Sequence, residues 1–239
     1  ELICELFHFK QPENVIFTKN VTESLNLIIK GLLQPGDHVL VSSVEHNAVM
    51  RPLVSLSEKG VEFSRVPGND KGELDLESLE QLIQPHTKAV IMTHASNVSG
   101  VILPLKEISE ICQKRQLCFI VDAAQTAGIV EINLEETQLD ALAFTGHKSL
   151  LGPQGMGGFI LSDRLAAKLP PFIEGGTGSL SEHEIQPLTL PDKYESGTLN
   201  LPGIFGLQAA LKYVLKTGVT SLFAYEQELT KSFYQDLLN

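Results

Sequence analysis

The sequence predicts an α/β fold with a mostly parallel seven-stranded sheet and helices on both faces. Short runs rich in β-branched residues recur along the 239 residues, each bounded by turn residues. Stretches with apolar residues at helical spacing lie between most of these runs. Strands that alternate with helices are typical of a parallel sheet covered on both faces. The length is sufficient for one large domain with a sizeable core.

The predicted elements follow one another in this alternating order. The strands are apolar runs at residues 15–18, 39–42, 61–66, 89–93, 118–122, 141–145 and 158–161. Four amphipathic segments predict helices at residues 22–33, 47–59, 76–83 and 105–115. Turn signals separate them, among them Pro35 with Gly36 before the second strand and Pro104 at the start of the fourth helix.

The pattern changes after the last predicted strand. Residues 170–202 are rich in Gly, Pro and Ser, and helices resume at about Ile204. A loop of this length is usually functional or forms an interface. The chain begins directly in a predicted helix and stops within the amphipathic stretch 222–238, so we expect it to be a fragment of a longer protein.

Composition excludes several classes of function. The net charge is −11, with 18 basic and 29 acidic residues, and no basic cluster is present that could neutralise a nucleic-acid backbone. No apolar run reaches the roughly 20 residues of a membrane span, and no signal-peptide pattern occurs at the start. We therefore expect a cytoplasmic protein without a nucleic-acid or membrane partner.

The three cysteines, Cys4, Cys112 and Cys118, match no zinc-binding or disulfide spacing. Cys118 lies in an apolar strand and Cys112 on an amphipathic helix, which favours buried free thiols. We expect no metal site and no cysteine nucleophile in this chain.

Polar side chains follow five of the predicted strands. Ligands of open α/β sheets bind at the carboxyl ends of the strands, so these residues are the candidates for a site. They are Thr22, His46, Asn97, Asp122, Gln125, Thr145, His147 and Lys148.

Lys148 follows the sixth strand in the sequence Thr145-Gly-His-Lys. A lysine attacks a carbonyl group only as the neutral amine, and a neighbouring cation together with partial burial favours that form. A solvated structural lysine is an equal alternative from the local sequence.

Asp122 ends the hydrophobic fifth strand. Burial of an aspartate is costly unless it pairs with a cation or a strong donor. Asp122 could cap the segment that follows it. The functional alternative is an ion pair with the protonated nitrogen of a pyridine cofactor.

Thr22 and His46 each open a predicted helix. The hydroxyl of Thr22 and the free backbone N–H groups of Val21 and Thr22 would suit a phosphate group, although an ordinary capping threonine is an alternative. His46 is either a satisfied surface residue or a ring that stacks on a planar cofactor and moves protons.

Six ordered motifs give the sequence a family resemblance. It resembles the class V aminotransferases of the fold-type I pyridoxal 5'-phosphate (PLP) enzymes, and most closely their cysteine desulfurase and selenocysteine lyase branch. The motifs are TKNVTESLN (18–26), EHNA (45–48), HASNVSG (94–100), VDAAQ (121–125), TGHK (145–148) and ESGTLN (195–200). The resemblance implies a PLP-binding large domain over residues 1–239, without the family's small C-terminal domain.

The resemblance also implies roles around the cofactor ring. Lys148 would form the Schiff base with PLP and shuttle protons as the catalytic lysine. Asp122 would bind the pyridine nitrogen, and His46 would stack on the ring as the second catalytic residue. Asn97 and Gln125 would donate hydrogen bonds to the phenolate oxygen.

The phosphate end of the cofactor is implied in the same way. The backbone amide of Val21 and the side chains of Thr22, Thr145 and His147 would bind the phosphate. The counterpart of Thr198 in this family reaches the phosphate of the neighbouring subunit, which implies a homodimer.

The implied activity is that of a PLP-dependent cysteine desulfurase or selenocysteine lyase. Such an enzyme converts L-cysteine or selenocysteine to L-alanine and passes the sulfur or selenium on, with a possible sulfur-acceptor protein as partner. The family's persulfide cysteine and carboxylate-binding arginine have no counterpart in this sequence, and Arg51 and Arg164 are not matches for that arginine. We therefore expect weak or no activity from this chain alone.

Two alternatives remain open at this point. The same cofactor residues would serve a class V aminotransferase or a β-lyase that acts on another amino acid. A nonenzymatic scaffold with a PLP-enzyme fold is the third possibility.

Overall fold

A seven-stranded sheet forms the centre of the molecule in the computed structural model, which describes residues 1–238. The strands are β1 (Val15–Thr18), β2 (His38–Ser42), β3 (Glu62–Val66), β4 (Thr87–Thr93), β5 (Cys118–Asp122), β6 (Ala141–Thr145) and β7 (Gly157–Leu161). Their order in the sheet is β1-β7-β6-β5-β4-β2-β3. The seven predicted strands are confirmed, with small shifts at their ends.

The sheet is mostly parallel, as predicted. The pairs from β6 through β5, β4 and β2 to β3 are parallel, whereas β7 pairs antiparallel with both β6 and β1. Only residues 146–156 separate β6 from β7, and a connection that short joins antiparallel neighbours more readily than a parallel crossover does.

The helices alternate with the strands along most of the chain. They are α1 (Leu2–Phe7), α2 (Val21–Leu32), α3 (Asn47–Ser57), α4 (Leu76–Gln81), α5 (Leu105–Lys114), α6 (Leu134–Thr137), α7 (Asp163–Ala166), α8 (Leu201–Thr217) and α9 (Val219–Leu237). The four-residue helices α6 and α7 were not predicted, because so short a segment shows no periodicity. Helix α8 begins before the predicted Ile204, since the Asn200 side chain accepts a hydrogen bond from Gly203 N and caps it there.

Alternate residues of each strand enter two separate cores, one on each face of the sheet. In β5, Phe119 and Val121 pack on the side of α5 and α8, whereas Cys118 and Ile120 pack on the side of α2 and α3. The prediction of helices on both faces is therefore confirmed. The side-chain period of two along a strand explains the division.

The cysteines are buried and free, as expected. Cys118 lies in β5 and Cys112 in α5. Burial raises the pKa of the Cys112 thiol to about 12 and also raises that of Cys118. Both thiols are therefore protonated at neutral pH, and a protonated thiol is a poor nucleophile.

The segment between α7 and α8, residues 167–200, has neither helix nor strand. Side chains near its end attach it to the rest of the molecule. Tyr194 Oη donates to Leu169 O at 2.7 Å, and Glu195 Oε1 accepts from Phe17 N on the edge strand β1 at 2.7 Å. None of the helices within residues 1–238 combines the length and the apolar character needed to cross a membrane.

Candidate active site

A cavity of about 280 Å³ lies at the carboxyl ends of the parallel strands. Its walls come from the segments that follow β1, β2, β4, β5 and β6. The lining residues are Asn20, Val21, Thr22, His46, Thr93, Ala95, Asn97, Asp122, Ala124, Gln125, Thr145, His147 and Lys148. The structure thus brings every sequence-predicted site residue together except Thr198.

The start of α2 forms part of the wall of this cavity. Asn20 caps the helix by accepting a hydrogen bond from Glu23 N at 3.0 Å. The capping residue is therefore Asn20 and not Thr22, because Thr22 lies inside the first turn. Within residues 1–238 the backbone N–H groups of Val21 and Thr22 have no acceptor, so both can bind an anion.

Gly157, the first residue of β7, allows α2 to begin close to the sheet. A Cβ atom at this position would lie 2.6 Å from Asn20 Cα and 2.9 Å from Phe144 O, both of them backbone atoms. The first turn of α2 therefore reaches the end of β6 only because residue 157 has no side chain. No local sequence pattern marks this glycine.

Asp122 lies at the end of β5 and is 2% exposed. Its Oδ1 atom accepts from Ala124 N at 2.9 Å, while no protein donor within residues 1–238 contacts Oδ2. Burial raises the pKa of Asp122, and the Ala124 N–H group and the positive charges of Lys148 and His46 lower it. Asp122 thus caps a turn rather than a helix, and the same carboxyl group lines the cavity.

Lys148 is half-buried in the turn that follows β6. The turn folds back on itself, because Gly146 N donates to Met156 O at 2.8 Å and Gly152 N donates to Gly146 O at 2.7 Å. This arrangement directs the segment from Thr145 to Lys148 along the cavity wall. The buried Thr145 hydroxyl lies 3.1 Å from His147 Nδ1.

His46 caps α3 and lines the cavity with the same ring. Its Nδ1 atom accepts from Ala48 N at 3.0 Å, so the proton of the neutral imidazole is on Nε2. The structural and functional alternatives for His46 are therefore compatible, since an in-plane hydrogen bond leaves the ring faces free.

Asn97 and Gln125 occupy turns after β4 and β5. Ser96 Oγ accepts from Val98 N and Ser99 N, at 3.2 and 3.3 Å, and so shapes the turn that carries the exposed Asn97. Gln125 is half-buried in the turn that Asp122 caps.

Thr93, which was not predicted from the sequence, also lines the cavity. Its hydroxyl donates to Ala95 O at 2.8 Å, and its backbone N–H donates to Glu45 Oε1. The available signal was its position as the last residue of the fourth apolar run, where a polar residue ends a buried strand.

Thr198 lies apart from this cavity. It is exposed and lines a separate depression of about 290 Å³ with Phe17 and Glu195 among its neighbours. Its predicted contact with the phosphate of a neighbouring subunit stays a prediction.

The class-V aminotransferase family model matches residues 1–239. The chain belongs to the class-V aminotransferase family. Among curated members, it is 36% identical over 225 residues to a probable cysteine desulfurase of Pyrococcus abyssi and 34% identical over 229 residues to a cysteine desulfurase of Escherichia coli. Each alignment covers 92% of this chain and 56% of the relative.

Solved structures of cysteine desulfurases share the fold. The apo cysteine desulfurase of Thermococcus onnurineus superposes with a TM-score of 0.90 at 32% identity, over 99% of this chain and 60% of the relative. The cysteine desulfurase CsdA of Escherichia coli gives 0.92 at 27% identity, over 100% of this chain and 61% of the relative. The chain thus has the fold-type I architecture and spans a little over half the length of the relatives it matches.

Proposed function

We propose that the cavity at the strand ends binds PLP and that the full-length protein is a cysteine desulfurase. The observation that carries the proposal is the convergence of Lys148, Asp122 and His46 on one cavity. Its volume is near the lower end of the roughly 300–1,000 Å³ typical of small-molecule sites, which suits a single ring with one phosphate group.

The donors at one end of the cavity fit a phosphate. The free N–H groups of Val21 and Thr22 point out of a helix whose N-terminus carries partial positive charge. The Thr145 hydroxyl and the His147 ring lie at the same end of the sheet and supply further hydrogen-bonding groups. Phosphate recognition at a helix start together with side-chain donors is a common arrangement.

Asp122 fits a protonated pyridine nitrogen. Asp122 lines the cavity, and its Oδ2 atom has no donor within residues 1–238. A donor or a cation of a ligand in the cavity would therefore stabilise this carboxyl group, which is otherwise buried. A protonated ring nitrogen supplies both and would hold Asp122 in the ionised form.

The residues of the chain divide the chemistry between them. When bound, PLP supplies an electrophilic carbonyl carbon and a ring that withdraws electron density. Asp122 would hold the ring nitrogen in its protonated form, and the His46 ring would lie against the cofactor ring. Lys148 would provide the amine that attaches the cofactor and would carry protons to and from the substrate. Asn97 and Gln125 would bind the oxygen substituent of the ring.

Cysteine is the substrate that the comparisons favour. The two relatives reported above and both solved structures are named cysteine desulfurases. Selenocysteine differs from cysteine only in the chalcogen atom and is included in the proposed substrate class. Sulfur that leaves cysteine needs a nucleophilic acceptor, so a sulfur-acceptor protein is part of the proposal. An aminotransferase or β-lyase would use the same cofactor residues, and substrate turnover discriminates between these reactions.

Lys148→Ala tests the proposal directly. The full-length protein loaded with PLP is expected to absorb visible light. Borohydride reduction should shift this absorbance and leave the cofactor covalently attached to the protein. Lys148→Ala is expected to lose the reducible adduct, because the attaching amine is gone. Lys59→Ala, which removes an exposed lysine in the turn after α3, should behave as wild type.

Two results would count against the proposal. A wild-type protein that stays colourless after reconstitution with PLP excludes a PLP enzyme and favours a scaffold. Wild-type protein that binds PLP but releases no alanine from cysteine or selenocysteine excludes the desulfurase activity.

A further inference from the structure

Glu45 lies in the turn between β2 and α3, directly before His46. The residue as a whole is partly exposed, but its Oε2 atom is buried. Among residues 1–238, this is the one buried side-chain oxygen or nitrogen that has no hydrogen-bond partner. A buried polar atom without a partner is rare in folded proteins and requires a physical reason.

The other carboxyl oxygen connects two strand ends. Oε1 accepts a hydrogen bond from the Ser42 hydroxyl at the end of β2 and another from Thr93 N at the end of β4, the latter at 2.8 Å. The strands β2 and β4 are neighbours in the sheet, and Thr93 lines the cavity. Oε1 therefore fixes the turn that carries His46 against the edge of the candidate site.

We propose that Glu45 is a positioning residue that holds the His46 ring at the cavity through Oε1 alone, so that an uncharged side chain of the same shape can replace it. This inference rests on the proposed PLP site, because the cofactor ring is what His46 is positioned to cover. Glu45 itself does not line the cavity.

The electrostatics of the site favour the uncharged form of Glu45 below about pH 7. Burial raises the pKa of Glu45 to about 7, hydrogen bonds from Ser42 and Thr93 lower it, and the negative charge of Asp122 raises it. Besides Asp122 on β5, the titratable groups that line this end of the sheet include His46 on the same turn and His147 and Lys148 after β6. His94 follows Thr93 directly, and burial lowers its pKa to about 4, so it is neutral at pH 7.

The position of the proton follows from the contacts. Both donors occupy Oε1, so the proton of the neutral acid is held on Oε2, where no donor stabilises the charged form. Below about pH 7 Glu45 therefore places no second full negative charge near Asp122, which has to stay ionised to bind a protonated ring nitrogen.

Three variants of the full-length protein test the positioning role without the cofactor. Glu45→Gln keeps the shape and an accepting oxygen, Glu45→Ala removes both, and Glu58→Gln alters an exposed glutamate at the other end of α3. The readout is the NMR signal of the His46 ring in cofactor-free protein, assigned with His46→Gln. We expect Glu45→Ala to shift or broaden this signal and the other two variants to leave it unchanged.

The NMR outcomes decide the inference. An unchanged His46 signal in Glu45→Ala overturns the positioning role. Equal changes in Glu45→Gln and Glu45→Ala overturn the claim that charge is dispensable. Far-UV circular dichroism on each variant separates these outcomes from global unfolding.

The pH dependence of stability tests the neutral form. A glutamate in the unfolded chain has a pKa of about 4.3, so between that pH and about 7 the folded protein binds more protons at Glu45 than the unfolded chain does. The stability of wild type relative to Glu45→Gln should therefore fall as the pH rises through this window. If the difference in the free energy of unfolding between wild type and Glu45→Gln does not change with pH, Glu45 is not neutral in the folded protein.

The holoenzyme supplies the last measurement. Visible circular dichroism of bound PLP reports how the ring is held, and Glu45→Ala should lose this signal and bind PLP about tenfold more weakly. Glu45→Gln should match wild type. If wild type binds no PLP, the proposed function fails, while the His46 signal in cofactor-free protein still decides the role of Glu45.

Discussion

The strand-end cavity and the 167–200 segment differ in how their residues are brought into place. His46, Asp122 and Lys148 come from three separate segments and share one cavity. Thr198 belongs to the same predicted site, yet it is exposed and lies outside that cavity. Parallel strands end at one edge of a sheet, so the sheet alone assembles the first group. Thr198 does not follow a strand of the sheet, so the sheet of its own chain does not bring it to the cavity.

The two regions also differ in burial, and burial determines how strongly a substitution acts. Asp122 is enclosed, and its charge is balanced by few neighbours. Thr198 is in contact with solvent in this chain. Charges act more strongly in an enclosed site than in water, so substitutions in the cavity should have the larger effects.

The largest effect is expected from Asp122→Asn. The amide keeps the oxygen that accepts from Ala124 N but cannot hold a protonated ring nitrogen. We expect cysteine turnover by the full-length enzyme to fall roughly 10²-fold or more, with the fold retained. Steady-state alanine release and far-UV circular dichroism measure the two quantities.

Asp70→Asn is the matched control, because it changes an exposed aspartate in a turn after β3. It should leave turnover unchanged. Wild-type turnover in Asp122→Asn would show that Asp122 does not bind the protonated ring nitrogen.

The second effect concerns the close approach of α2 to β7. In Gly157→Ala the new methyl group meets backbone atoms of Asn20 and Phe144, which cannot move aside as a side chain would. We expect a loss of about 1–3 kcal/mol in the free energy of unfolding. The displaced N–H groups of Val21 and Thr22 should also weaken PLP binding.

Gly176→Ala is the control for Gly157→Ala. A Cβ atom at residue 176 meets nothing within 4 Å, so stability and PLP affinity should stay near wild type. Calorimetry and a PLP titration compare the two variants. Equal behaviour of both would show that the start of α2 does not depend on the missing side chain.

The sequence predicted what the sheet determines and missed what depends on packing between distant segments. The strands, the α2–α5 helices and the convergence of the strand-end residues follow from local patterns and one topological rule. The cap at Asn20 was missed because Thr22 is an equally good capping type. The contacts of Glu45 and Gly157 were missed because they join segments far apart in the sequence, which periodicity does not report.

Thr198→Ala should have the smallest effect of the three. If Thr198 donates one hydrogen bond to a phosphate in a neighbouring subunit, its loss costs about 1.5 kcal/mol, which corresponds to about tenfold weaker PLP binding. A PLP titration of the full-length dimer measures the change. Thr177→Ala, in the same segment, is the control. No loss in Thr198→Ala would remove this residue from the proposed phosphate site.

Mixed dimers test whether Thr198 acts on the neighbouring subunit. Lys148→Ala and Thr198→Ala subunits, given different affinity tags, are co-expressed and the mixed dimer is purified. If Thr198 acts across the interface, the subunit with an intact Lys148 receives an intact Thr198 from its partner, and that one site binds PLP with wild-type affinity. If Thr198 acts within its own chain, the mixed dimer contains no intact site and stays about tenfold weaker. Only the first result agrees with the position of Thr198 outside the cavity of its own chain.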